Sequence, residues 1–232
     1  MKRLYRDAAA TPAEGGFAVT LDGKQVRTPA RAALVVAGRA LAEAIAAEWQ
    51  AQGERVDPET MPLTRLASTA IDLVAPRRAE VAAMIAKYAA TDLVCYRADG
   101  PPELVERQHQ AWQPLIDWAR DRYSAQLEVA TGIMPRAQPA ATLAALATHV
   151  ASYDPWQLAA LSLATAACGS LVVALALAEG RLDAEAAFAV AELDASFQIE
   201  RWGEDSEQTK RRAALQEDIA LAARFAGLLR GN

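Results

Sequence analysis

The residues of this chain whose types could do chemistry are few and scattered. Its two histidines, His109 and His149, fall on different predicted helices with no Cys, Asp or Glu at ligand spacing. A zinc site needs three or four converging ligands, so no metal is expected. Cys95 and Cys168 lie far apart in apolar surroundings without a CxxC, which reads as two reduced, buried thiols. Neither GxGxxG nor GxxxxGK[ST] occurs, so no glycine-rich loop is present to cradle phosphate. Ser170 follows Gly169 but stands outside a GxSxG elbow, and it is expected in mid-helix, bonded back to its own backbone. Glu204 and Asp205 are adjacent carboxylates that would point apart on a helix, as solvated surface groups do. An enzyme would have to gather Asp92, Asp194 and Glu200 around a pocket, with no recognisable nucleophile beside them.

What the chain does concentrate is tryptophan among amides. Trp49 sits in Glu48-Trp49-Gln50-Ala51-Gln52, Trp112 in Gln108-His109-Gln110-Ala111-Trp112-Gln113, and Trp202 in Gln198-Ile199-Glu200-Arg201-Trp202-Gly203. Each tryptophan is either a core anchor whose indole N–H finds a nearby acceptor or part of an exposed recognition surface, where tryptophan is enriched. Composition does not choose between them.

The elements that must position these residues fall into two parts. Residues 17–21 alternate, Asp22-Gly23 supplies a hairpin turn, and residues 24–27 alternate again. Residues 33–36 make a third candidate strand. So few strands need a helix to pack on, and Leu41, Ala44, Ile45 and Trp49 provide one at helical spacing. Leu63, Leu66, Ala70, Ile71 and Val74 form the next apolar face, which Pro76 closes. Beyond Pro76 the pattern is almost wholly helical, with an extended break over 92–97, a brief strand at 127–129 and a loop over 132–139. Helices are predicted at 140–151, 155–178, 183–201 and 205–229. The reading is α+β: a small β-rich N-terminal domain over 1–75 and a larger all-α domain over 76–232.

Bulk properties narrow the function classes. The 232 residues are 53% hydrophobic and 23% charged, a globular balance. A net charge of −5 argues against a nucleic-acid partner. Residues 156–178 carry no charge and are long enough to span a bilayer. They are diluted by alanine, serine and glycine, and Asp154 and Glu179 flank them instead of basic anchors, so a helix buried in a core is expected. The first residues lack the apolar run of a signal peptide. A soluble protein of the bacterial cytoplasm, or of the mitochondrial matrix in a eukaryote, is expected.

The tryptophan segments, taken in order with Leu21-Asp22-Gly23-Lys24, Arg27-Thr28-Pro29, Thr60-Met61-Pro62-Leu63-Thr64, Thr69-Ala70-Ile71-Asp72 and the run from Lys87 to Arg97, resemble the chaperone family that assembles F-type ATP synthase by binding its α subunit. The resemblance runs nearly the whole chain. It implies a small α+β domain with a larger helical one, no catalysis, no cofactor and a monomer that shields the free α subunit until the hexamer forms. On this resemblance Asp194, Gln198, Arg201, Trp202 and Glu204 are the candidate partner-binding residues. Trp49, Asp72, Trp112 and Gly203 are the candidate structural ones. Asp194 stands where relatives carry a glutamate, which keeps the charge and shortens its reach. On one helix over 183–201, Asp194, Gln198 and Arg201 would share a face. A general holdase without a defined client is the rival reading.

Overall fold

The structure is a computed structural model that describes residues 2–132 and 136–231. The chain divides into two compact units: residues 1–78 with 154–160 and 224–232, and residues 79–153 with 161–223.

The first unit is built on an antiparallel sheet of β1 (Ala8–Ala13), β2 (Gly16–Leu21), β3 (Lys24–Gln25) and β4 (Val35–Val36), with β2 pairing all three others. The Asp22-Gly23 hairpin forms where the sequence predicts it. Both residues adopt positive φ, +48° and +77°, as a two-residue turn of this hand requires. The predicted third strand is shorter than 33–36: Ala33 makes only an isolated bridge to Arg27. Strand β1 has no counterpart in the sequence reading, because Ala-Ala-Ala-Thr-Pro-Ala carries almost no strand propensity; its pairing with β2 creates it. Helix α1 (Arg39–Gln50) buries Leu41, Ala42, Ile45 and Ala46. Helix α2 (Pro62–Thr69) continues into a π-helical turn over Ala70–Val74. Its free N-terminal amides are capped from α1: Glu48 accepts from the Leu63 and Thr64 N–H groups, both at 2.8 Å.

The second unit is mainly helical. Helix α3 (Arg78–Ala86) leads through two short 3₁₀ turns to β5 (Tyr96–Arg97), which pairs in parallel with β6 (Ala130–Thr131). The strand predicted at 127–129 therefore lies slightly later. Of the loop expected over 132–139, residues 133–135 lie outside the described residues. Helices α4 (Pro102–Tyr123), α5 (Ala140–Ser152), α6 (Pro155–Cys168), α7 (Leu171–Ala178), α8 (Ala184–Ala191), α9 (Leu193–Trp202) and α10 (Ser206–Arg230) follow.

Two predicted helices are each broken once. The stretch 155–178 divides at Gly169, whose φ of +62° no helix accommodates. Ser170 is thus not in mid-helix. It is the N-cap of α7 and accepts from the Val173 N–H at 3.0 Å. The stretch 183–201 divides at Glu192 (φ −103°, ψ 21°), which ends α8 and opens α9. Residues 171–177 of α7 are all buried, which accounts for the most apolar part of the charge-free run. No described helix is long and apolar enough to cross one.

Candidate partner-binding site

The segment from Asp194 to Glu204 is placed by α9 and its C-terminal turn. Phe197 is buried and anchors the helix. The guanidinium groups of Arg201 and Arg107 lie over its ring, 4.3 and 5.3 Å from the centroid. Arg201 donates to Glu103 at 2.8 Å, Arg107 donates to Glu103 at 2.9 Å, and Arg107 reaches Glu200 at 2.7 Å. This chain of four charges ties the first turns of α4 to the end of α9. The hydrogen bond from Arg201, with that from Arg107 added, holds the Glu103 carboxyl below its ordinary range. All four side chains are more than a third exposed, so the chain positions more than it stabilises.

Asp194, Gln198 and Arg201 all fall on α9 at the spacing of one helix face, but their side chains are committed differently. Asp194 is half-buried and accepts from Gln108 Nε2 at 2.8 Å, while the side-chain carbonyl of Gln108 takes the Ala98 N–H at 2.8 Å. Arg201 is committed to Glu103. Glu204 lies 3.4 Å from Arg212 on α10. Gln198 is exposed. Trp202 ends α9 with 77% of its surface exposed, the largest exposed aromatic side chain of the described residues. Gly203 follows at φ +82° and closes the helix, donating to the Ile199 carbonyl at 2.8 Å.

The structural candidates take up defined posts. Trp112 is fully buried, donates its indole N–H to the Val190 carbonyl at 3.0 Å and lies under the Arg97 guanidinium. Asp72 accepts from the Thr28 hydroxyl at 2.7 Å and the Ala30 N–H at 3.0 Å, pinning the segment after β3 to the turn that follows α2. Trp49 meets the Tyr5 ring edge-on at 5.9 Å, but its indole N–H has no partner among the described residues. Its flanking amides are all engaged: Gln50 receives the Ala8 N–H and Gln52 the Asp57 N–H.

The remaining chemistry-bearing groups are dispersed. Asp92 is fully buried, accepting from Ser170 Oγ at 2.5 Å and the Val172 N–H at 3.0 Å. Glu200 is exposed in the charge chain and shares no partner with Asp92. Burial pushes both cysteine thiols up to about 12. Among the described residues no group of three His, Cys, Asp or Glu could hold a metal ion. Sequence reasoning missed Glu103 and Arg107. Their i, i+4 spacing on a helix opened by Pro101-Pro102 was visible, but their link to α9 is tertiary.

Comparison with known proteins identifies the family. The model of the ATP12 chaperone protein family matches residues 2–120. The chain belongs to the ATP12 chaperone family. Members are chaperones of ATP synthase assembly. Protein atp12, mitochondrial, of Schizosaccharomyces pombe is 27% identical over 214 residues, covering 87% of this chain and 74% of that protein. Atp12 of Paracoccus denitrificans superposes with a TM-score of 0.95 at 43% identity, over 98% of this chain and 97% of that one. The Atu1473 protein of Agrobacterium tumefaciens gives 0.93 at 43% identity, over 98% and 86%. The ATP12 fold is thus a small strand-containing N-terminal region followed by a mainly helical domain, as the α+β reading holds.

Proposed function

We propose that this chain is a non-catalytic chaperone that binds the free α subunit of the F-type ATP synthase head and covers the surface that later meets its neighbours. The observation that carries the reading is Trp202. A tryptophan left 77% exposed at a helix end is costly in water and is the residue type that dominates binding hot spots. The charge chain of Glu103, Arg107, Glu200 and Arg201 holds the end of α9 in place, so the indole is presented on an ordered rim. A site of this kind suits the apolar, self-associating surface of an unassembled subunit. The compartment is the one that holds that subunit, the bacterial cytoplasm or the mitochondrial matrix, and the working form is a monomer.

The test is light scattering of isolated α subunit with the chaperone at near-stoichiometric ratio, beside an unrelated aggregating protein. The wild type protects the α subunit and not the other protein. Trp202→Ala loses protection while its melting temperature stays within a degree or so, as for surface changes below about 0.5 kcal/mol. Equal protection of both proteins would instead establish a general holdase.

A further inference from the structure

The first unit contains a cavity of about 680 Å³, apart from α9 in the chain and unused by the site above. Its lining is mostly apolar: Trp49 from the end of α1, Val56 and Met61 from the segment before α2, and Leu73 from the turn after it. Val56 and Met61 are buried, whereas Leu73 at the mouth is 50% exposed. The volume lies within the range of small-molecule sites, roughly 300–1,000 Å³, and leaves room for a side chain together with its flanking backbone.

The charges around it have one sign left over. Asp72, the carboxylate on the wall, is already engaged by the Thr28 hydroxyl and the Ala30 N–H. Arg65 at the rim pairs with Glu59 at 2.9 Å, with both side chains more than half exposed. Arg27, also at the rim, donates only to the Arg31 carbonyl at 2.8 Å, and no carboxylate of the described residues pairs with it. The cavity thus offers a mostly apolar interior and a cation at the mouth.

We propose that this cavity takes an apolar side chain of the bound client, from an extended segment that carries a carboxylate beside it. The proposal rests on the client-binding reading given above and adds a second contact to it. Met61, Val56 and the Trp49 ring seat the side chain. Arg27 faces the carboxylate.

The probe is 8-anilinonaphthalene-1-sulfonate, an aromatic anion with the same pairing of apolar body and negative charge. Its fluorescence is followed on the full chain, on Thr69→Phe, which fills the cavity, and on Arg27→Glu, which reverses the rim charge at an exposed position. Both variants bind the probe at least about tenfold more weakly, isolated α subunit displaces it from the wild type, and both variants protect the α subunit less. Trp202→Ala still binds the probe. Should Thr69→Phe fail to fold, Arg27→Glu decides alone. Native-like probe binding and native-like protection in a folded Arg27→Glu would overturn the proposal while leaving the α-subunit reading intact. Probe bound in the cavity but not displaced by the α subunit would assign the site to a small acidic ligand and overturn the client contact. A wild type that fails to protect the α subunit removes the client reading, and with it this contact.

Discussion

Asp92 shows how much one carboxylate can hold. It caps a 3₁₀ turn through the Val94 N–H and meets the start of α7 through Ser170 and the Val172 N–H. Burial raises its pKa, and these hydrogen bonds only partly oppose the shift. The native state therefore keeps the proton to higher pH than the unfolded chain does. The stabilisation is complete below the unfolded value of about 3.9 and is lost as pH rises through the native one. Asp92→Asn has no such titration, and its amide N–H₂ would face backbone donors. The stability gap between wild type and Asp92→Asn is expected to be largest at acid pH and to shrink as pH rises, read from urea midpoints. A gap that widens with pH would mean an ionised native carboxylate. Asp194 poses a different question, because a residue proposed for partner binding also holds Gln108 by a hydrogen bond. Asp194→Asn keeps the acceptor and removes the charge. Its melting point should match the wild type, and if the aspartate meets a basic client group, α-subunit affinity should fall by about 1–3 kcal/mol. Asp194→Lys also strands the Gln108 amide, at about 1–3 kcal/mol, so it cannot separate the two roles.

Elements here begin and end at residues whose backbone geometry is local but whose necessity is not. Gly16 opens β2 with φ +147°, and a Cβ there would lie 2.2 Å from the Val36 carbonyl oxygen across the sheet. Gly169 separates α6 from α7 at φ +62°, with nothing within 4 Å of a Cβ. Gly16→Ala must push one strand off another and should cost more than about 3 kcal/mol. Gly169→Ala meets only the left-handed backbone penalty, about 1–2 kcal/mol. Denaturant midpoints of the two variants give the order directly, and equal losses would contradict it. The Glu192 break has another origin. Its side chain is buried and bonded to Arg211 and Arg212 of α10 at 3.1 Å each. A sequence window over 183–201 cannot contain that cause, so the break was invisible to periodicity.

At the scale of the molecule, the first compact unit is discontinuous: residues 154–160 and 224–232 belong with residues 1–78. Leu158 and Phe225, from those later segments, are fully buried. A fragment of residues 1–78 should therefore fail to give the dispersed amide spectrum of a folded domain. A stably folded fragment would show that the later segments are dispensable. The sequence by itself determined the hairpin at Asp22-Gly23, the apolar stripes of α1 and α2, and the buried character of residues 171–177. These depend on turn chemistry and on the spacing of apolar residues within a few turns of chain. It also carried the ATP12 resemblance, since ordered motifs survive in one dimension. The tertiary structure alone decided β1, whose alanines form a strand only against β2. It alone decided the two helix breaks and the engagement of Asp194 by Gln108. It also separated Trp112, which finds an acceptor in the core, from Trp202, which is left in water. Those outcomes depend on which distant residue supplies a hydrogen bond or covers a ring, and that information exists only once the chain has closed on itself.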